Sequence, residues 1–287
     1  MSKIAISAET TIDLSKELLK EFDIHTIPFT VHLGDKIGHD GEITPTDIFA
    51  YVDKTGVLPK TSAVNEFEYR DYFKGLLKEY DLVIHFCLGS NISSSYFNAV
   101  AASKKLKNVY VIDSKSLSTG IALEAIYAAK LAKLNIKPEE IVAMVEKRIP
   151  HVQASFVVNT LSYLHKGGRC SGLAKFGAML LRLKPQIIVK DGTMVPGKKY
   201  RGKSNICVAN YVKDTLEEFD NPDKSVVFIT HSHATPDMVD ICKQALLQKG
   251  FTNIYETVAG ATITSHCGPK TIGILFINDG GDHLPTE

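Results

Sequence analysis

Four short polar motifs hold most of the side chains in this chain that could do chemistry: Lys60-Thr61-Ser62, Gly89-Ser90-Asn91-Ile92-Ser93-Ser94-Ser95-Tyr96, Lys166-Gly167-Gly168-Arg169 and Ser265-His266-Cys267-Gly268-Pro269. Together they supply hydroxyls, backbone amides, one guanidinium and one imidazole. That set suits gripping a single anionic group. It does not suit a nucleoside triphosphate, because the G-x-x-x-x-G-K-[ST] phosphate loop is absent. Nor does it suit a metal: there is no C-x-x-C, and His231 and His233 have no third ligand nearby in sequence.

Gly89–Tyr96 follows the apolar run Leu82–Leu88 and opens a helix expected from about Ser93 to Lys107. Open α/β sheets bind ligands at the carboxyl ends of their strands. The free amides and positive dipole end of a helix favour an anion there. Ser93 reads as the helix N-cap, with Ser94 and Ser95 in the first turn; it reads equally well as a ligand contact. Thr61 and Ser62 follow Pro59 in a stretch of weak periodicity, which places them in a loop. Hydroxyls in loops either meet a ligand or close local turns. Arg169 stands beside a glycine pair, which permits close backbone approach, and arginine suits bidentate contact with a carboxylate or phosphate. A solvated surface turn is the alternative. His266 lies among turn residues, where it could donate to an anion or shuttle a proton. Cys267 makes a poor nucleophile, since a histidine adjacent in sequence seldom meets the thiol. Asp113-Ser114 is another polar pair at a strand end, with capping of the helix that follows as its alternative role.

These residues need a scaffold. The chain has 287 residues, 44% hydrophobic and 23% charged, with a formal net charge of +1. That is an ordinary globular composition with length enough for two domains. No basic stripe points to nucleic acid, and no apolar run approaches the roughly 20 residues of a membrane span. Met1–Asp13 lacks the apolar stretch of a signal peptide. Five scattered cysteines fit free thiols in a reducing cytoplasm. Strands are expected at Lys3–Ser7, Ile24–Val31, Leu82–Leu88 and Val109–Asp113. Helices are expected at Leu14–Phe22, from Thr44-Pro45, and at Glu66–Tyr80, Gly120–Lys133 and Pro138–Pro150. This alternation argues a doubly wound, mostly parallel α/β sheet over residues 1–150. Residues 151–287 have another rhythm. A hairpin turns at Asp191-Gly192, strands are expected at Gln153–Val158, Val226–His231, Asn253–Val258 and Thr271–Asn278, and helices lie between them. That reads as a mixed α/β (α+β) domain, with the ligand between or beneath the loops of the two.

In order and spacing, these motifs resemble the DegV family, the bacterial fatty-acid-binding proteins that serve fatty acid kinase. The resemblance runs nearly end to end. It begins at Glu9-Thr10-Thr11-Ile12-Asp13-Leu14 and passes through Asp40-Gly41, Lys60-Thr61-Ser62, Ile92-Ser93-Ser94-Ser95-Tyr96 and Asp113-Ser114. It continues through Leu161–Arg169, Leu183-Lys184-Pro185 and Asp191-Gly192 to His266-Cys267-Gly268-Pro269. Three positions depart from the family pattern: Ser94 stands where glycine is usual, Glu9 where aspartate is usual, and Arg182 lies in the run before Lys184-Pro185.

The resemblance implies a two-domain carrier, not an enzyme, that buries a fatty acyl tail. Thr61, Ser93 and His266 would grip the carboxylate, with Ser62 and Ser94 as neighbours. Arg169 and Arg201 resemble basic positions near the mouth that would aid the kinase encounter or phosphoryl transfer. The implied partners are a long-chain fatty acid and the ATP-binding fatty acid kinase, feeding phospholipid synthesis, with transient contact at a membrane surface allowed. No cofactor or metal is implied. The alternative is a serine hydrolase with Ser93 as nucleophile and His266 as base. Against it, the chain has no G-x-S-x-G elbow and no identified carboxylate to orient His266.

Overall fold

The computed structural model describes residues 3–170, 183–281 and 283–285. Arg182 and most of the loop and short helices expected between Lys166 and Leu181 lie outside the described residues. The first strand, β1 (Ile4–Glu9), leads through a 3-10 turn to α1 (Lys16–Phe22), capped by Ser15. The single strand expected over 24–31 is two: β2 (Ile24–Ile27) and β3 (Thr30–Leu33). Pro28 lies between them; it cannot donate to a ladder, and the chain leaves one sheet there for another. β4 (Lys36–His39) follows, then α2 (Pro45–Thr55). A Thr44/Asp47 capping box and Pro45 in the first turn start α2, and left-handed Gly56 ends it. β5 (Lys60–Ser62) precedes α3 (Glu66–Leu76), which an Asn65/Glu68 capping box starts. The apolar run forms β6 (Leu82–Cys87), buried at every position, and α4 (Ser95–Ser103), β7 (Val109–Asp113), α5 (Thr119–Lys133) and α6 (Pro138–Arg148) complete this half.

The strands form a parallel sheet ordered β2-β1-β6-β7 and a small antiparallel sheet ordered β4-β3-β5. The strand order of the parallel sheet reverses between β1 and β6. A crevice therefore opens outside the carboxyl ends of those two strands. The small sheet was not foreseen. It places Lys60-Thr61-Ser62 on an edge strand paired with β3, not in a loop.

The second half is built on a six-stranded sheet. Its elements are β8 (Val152–Val157), α7 (Ser162–Gly167), β9 (Lys184–Lys190), β10 (Thr193–Tyr200), α8 (Ser204–Glu218), β11 (Val227–Ser232), α9 (Pro236–Lys249), β12 (Ile254–Val258), α10 (Ala261–Cys267) and β13 (Thr271–Ile277). The order is β10-β9-β8-β13-β11-β12, antiparallel except for the β11–β12 pair. The expected hairpin turns at Asp191-Gly192, both at positive φ (50° and 74°), as a two-residue primed turn requires. α9 and α8 cover one face of this sheet over Val227, Ile229, Ile272 and Ile274. Its other face, through Phe156, Phe228 and Leu275, joins the core of the parallel sheet, so one apolar cluster runs through both halves. Arg148 fastens the same junction, with its guanidinium 2.7 Å from both Asp223 and Asp279. No helix among the described residues is long and apolar enough to cross a membrane.

Candidate functional site

A cavity of about 490 Å³ lies where the sheets meet, within the range of roughly 300–1,000 Å³ usual for small-molecule sites. Phe29, Ala63, Leu88, Ile92, Leu117, Phe156, Leu164, Met194, Ile263 and Leu275 give it long apolar walls. Thr61, Ser93, Ser94, Arg169 and His266, scattered over four motifs, all line it. Phe97 also lines it and is 60% exposed, so it marks the opening.

His266 is not in a turn. It sits in the last turn of α10, a helix hidden in the sequence by its threonines and its flanking glycines. Its Nε2 is 2.9 Å from Thr61 Oγ1. Burial, and secondarily the charge of Arg169, pushes its pKa down to about 4. The ring is therefore neutral near pH 7 and holds one proton for two nitrogens. Nδ1 is buried, has no hydrogen-bond partner among the described residues, and packs over Gly167, where a Cβ would stand 2.8 Å from it. Arg169 is exposed and donates to the Gly167 carbonyl at 2.5 Å. The glycine pair thus lets backbone approach the imidazole, and the guanidinium places positive potential beside it.

Ser93 is not the N-cap of α4; that position is Ser94, which makes no side-chain capping bond. Ser93 Oγ instead accepts from the Ser95 amide at 3.2 Å, and Ser93 lines the cavity. Ser62 faces the other way, as alternation along a strand dictates. It is exposed, bonded to His32 Nε2 at 3.0 Å, and is not a lining residue. Arg201 is exposed beyond the end of β10 and does not line the cavity either. Asp113 does not cap α5. Its carboxylate takes the Ser90 amide and hydroxyl at 3.0 and 2.6 Å, fixing the loop that carries Ser93. Asn91 ties the same loop to the hairpin through the Asp191 carbonyl and Thr193.

Behind the loop lies a buried polar cluster that sequence reasoning did not identify. Glu9 accepts from Tyr69 O–H at 2.5 Å and from the Leu88 amide at 2.7 Å. Burial raises the Glu9 carboxyl and the Cys87 thiol and lowers His85 to about 3. His85 is turned by Ser7 at 2.8 Å. Glu9, His85 and Cys87 have the ligand types and proximity for a metal. Each Glu9 oxygen already accepts one hydrogen bond, from Tyr69 and from Leu88. Cys87, Cys207, Cys242 and Cys267 are buried free thiols. His231 bonds Glu256 at 3.2 Å, and His233 packs edge-on against Phe49.

For the hydrolase arrangement His266 would have to engage Ser93 and be oriented by a carboxylate. Its Nε2 is on Thr61, and among the described residues no carboxylate bonds Nδ1.

Comparison with known proteins fits this geometry. A Thermotoga maritima relative described as a fatty acid-binding protein is 30% identical over 281 residues, covering 94% of this chain and 96% of the relative. Protein DegV of Bacillus subtilis is 28% identical over 280 residues, covering 95% and 98%. Among solved structures, a DegV family protein from Thermus thermophilus, described by its fatty acid binding, superposes with a TM-score of 0.89 at 26% identity, covering 96% of this chain and 99% of that one. A stearic acid-binding protein from Eubacterium ventriosum superposes with a TM-score of 0.83 at 25% identity, covering 98% and 99%. The model of the family described as an uncharacterised protein, DegV family, matches residues 3–279. This chain belongs to the DegV family.

Proposed function

We propose that this protein is a carrier for one long-chain fatty acid. The observation that carries the reading is the cavity itself: long apolar walls ending at a Thr61–His266 pair, with Ser93 at a helix N-terminus beside it. Each buried CH₂ of a tail contributes about 0.8 kcal/mol. The carboxylate would accept from the Thr61 and Ser93 hydroxyls and from Nε2–H of a neutral imidazole, which would turn from Thr61 Oγ1 to the ligand. A carboxylate removed from water needs such bonds or it takes up a proton. The fatty-acid descriptions of the Thermotoga maritima, Thermus thermophilus and Eubacterium ventriosum relatives support the assignment.

A separate fatty acid kinase would then phosphorylate the presented acid. A carboxylate oxygen attacks the γ-phosphorus of ATP, ADP leaves, and an acyl phosphate remains on the carrier. The chain has no phosphate loop of its own. Arg169 at the mouth would offset charge developing on the transferring group, and exposed Arg201 would meet the kinase. The test mixes protein, palmitate, ATP-Mg²⁺ and the host kinase, and traps acyl phosphate with hydroxylamine. Product should require the kinase. Arg169→Ala should slow transfer more than it weakens palmitate binding, and Arg201→Ala should slow transfer alone. Acyl phosphate formed by this chain without the kinase contradicts the carrier reading.

A further inference from the structure

The helix that holds His266 is anchored by two carboxylates from the other half of the chain. The Gly260 amide donates to Asp13 Oδ1 at 2.7 Å. The Ala261 and Thr262 amides donate to Asp40 Oδ1 and Oδ2 at 2.8 and 3.1 Å. Gly260, the N-cap of α10, offers no side-chain cap. Seven residues rich in threonine do not hold a helix unaided, so these bonds define where α10 begins. A Cβ at position 260 would stand 2.9 Å from Asp40 Oδ1 and 3.2 Å from Asp13 Oδ1, so glycine is what admits both carboxylates. Asp13 Oδ2 accepts a short bond from the Ser118 hydroxyl, and Ser118 lines the cavity. Asp13 and Ser118 both hold positive φ (55° and 54°), a conformation that non-glycine residues keep only where the surroundings impose it.

We infer that Asp13 and Asp40 are positioning residues for ligand recognition. They fix the start of α10, and through that short helix they hold His266 Nε2 against Thr61 at the cavity wall. The inference rests on the proposed reading that Thr61 and His266 grip a carboxylate.

The two aspartates have different chemical tasks. Asp40 accepts an amide proton on each oxygen, which only a carboxylate can do; an amide nitrogen would confront one N–H with another. Asp13 spends one oxygen on an amide and the other on a hydroxyl, which can accept as well as donate. An asparagine there satisfies both. Burial, with the charge of Asp40 as a lesser cause, also pushes the Asp13 carboxyl up to about 8, so a neutral group is close to the native state.

The test is a calorimetric titration of wild type, Asp13→Asn, Asp40→Asn and Gly260→Ala with palmitate and with hexadecanol, which shares the chain but lacks the carboxylate. Asp40→Asn and Gly260→Ala should weaken palmitate by roughly tenfold or more and hexadecanol by less than about twofold. Asp13→Asn, the conservative variant that keeps a partner for both the Gly260 amide and the Ser118 hydroxyl, should weaken palmitate less than Asp40→Asn does. Gly260→Ala strains the clamp without removing a carboxylate, so it decides the matter if Asp40→Asn does not fold. Equal losses for both ligands, or no loss in the folded variants, overturn the inference. So does Asp13→Asn matching the defect of Asp40→Asn. A wild type that binds hexadecanol as well as palmitate would instead overturn the underlying carboxylate reading.

Discussion

Thr61 Oγ1 and His266 Nε2 stand 2.9 Å apart although 205 positions separate them in the chain. The pair exists because edge strand β5 and the last turn of α10 are brought to one wall of the cavity. Thr61→Val removes the hydroxyl at nearly constant shape, and His266→Ala removes the imidazole. If the pair grips the carboxylate as proposed, each loses a hydrogen bond to a charged group, worth roughly 1.5–3 kcal/mol, or roughly 10- to 150-fold in palmitate affinity. Isothermal titration measures it; affinities unchanged by both substitutions would remove the pair from the grip.

Ser93 separates two roles. As a ligand contact, its replacement in Ser93→Ala lowers palmitate affinity by a similar factor, and the melting temperature moves little. As local support for α4 through the Ser95 amide, the same substitution lowers the melting temperature with affinity intact. Titration beside circular dichroism distinguishes the outcomes, and the first is expected.

Gly167→Ala probes the imidazole from behind. The added methyl would sit 2.8 Å from Nδ1, closer than such contacts permit, so the ring must shift off Thr61. Palmitate binding should weaken by about tenfold or more with the exposed end of α7 still helical. Retained affinity in this variant would mean that His266 does not need its observed position.

The titration of His266 predicts a pH dependence with a definite sign. Its folded pKa, about 4, lies below its ordinary 6.5. The fold favours the neutral ring, so this contribution to stability is present above about pH 6.5 and is lost as pH falls from there through about 4. His85, held down to about 3, acts in the same direction. Thermal melts from pH 7 to 4 should fall more steeply for wild type than for His266→Gln, with the His85 share common to both. Parallel curves would place the His266 titration elsewhere.

The layered fold was largely legible. Leu82–Leu88 reads as a strand because it is uninterrupted and apolar, Thr44-Pro45 announces its helix by capping chemistry, and the helix from Glu66 shows in its amphipathic period. The failures came where tertiary packing overrides local signal. The single strand expected over 24–31 is two, because Pro28 parts two sheets. α10 was invisible because its stability comes from Asp13 and Asp40, more than two hundred residues away, not from its own propensities. Ser62 was grouped with Thr61 by adjacency, yet neighbours in a strand face opposite sides. Asp113 reads locally as a cap; it does take the Lys115 amide, but its carboxylate also reaches Ser90 on the neighbouring strand's loop. Glu9 gave no sign of its partners, because Tyr69 and Leu88 reach it from other elements.

The most direct test of the carrier account is mass spectrometry of the protein as purified, in its native state and after organic extraction. The account predicts about one long-chain fatty acid per chain, and binding of labelled palmitate or oleate to protein stripped of lipid. Purely unliganded protein that also fails to take up either labelled acid would contradict it.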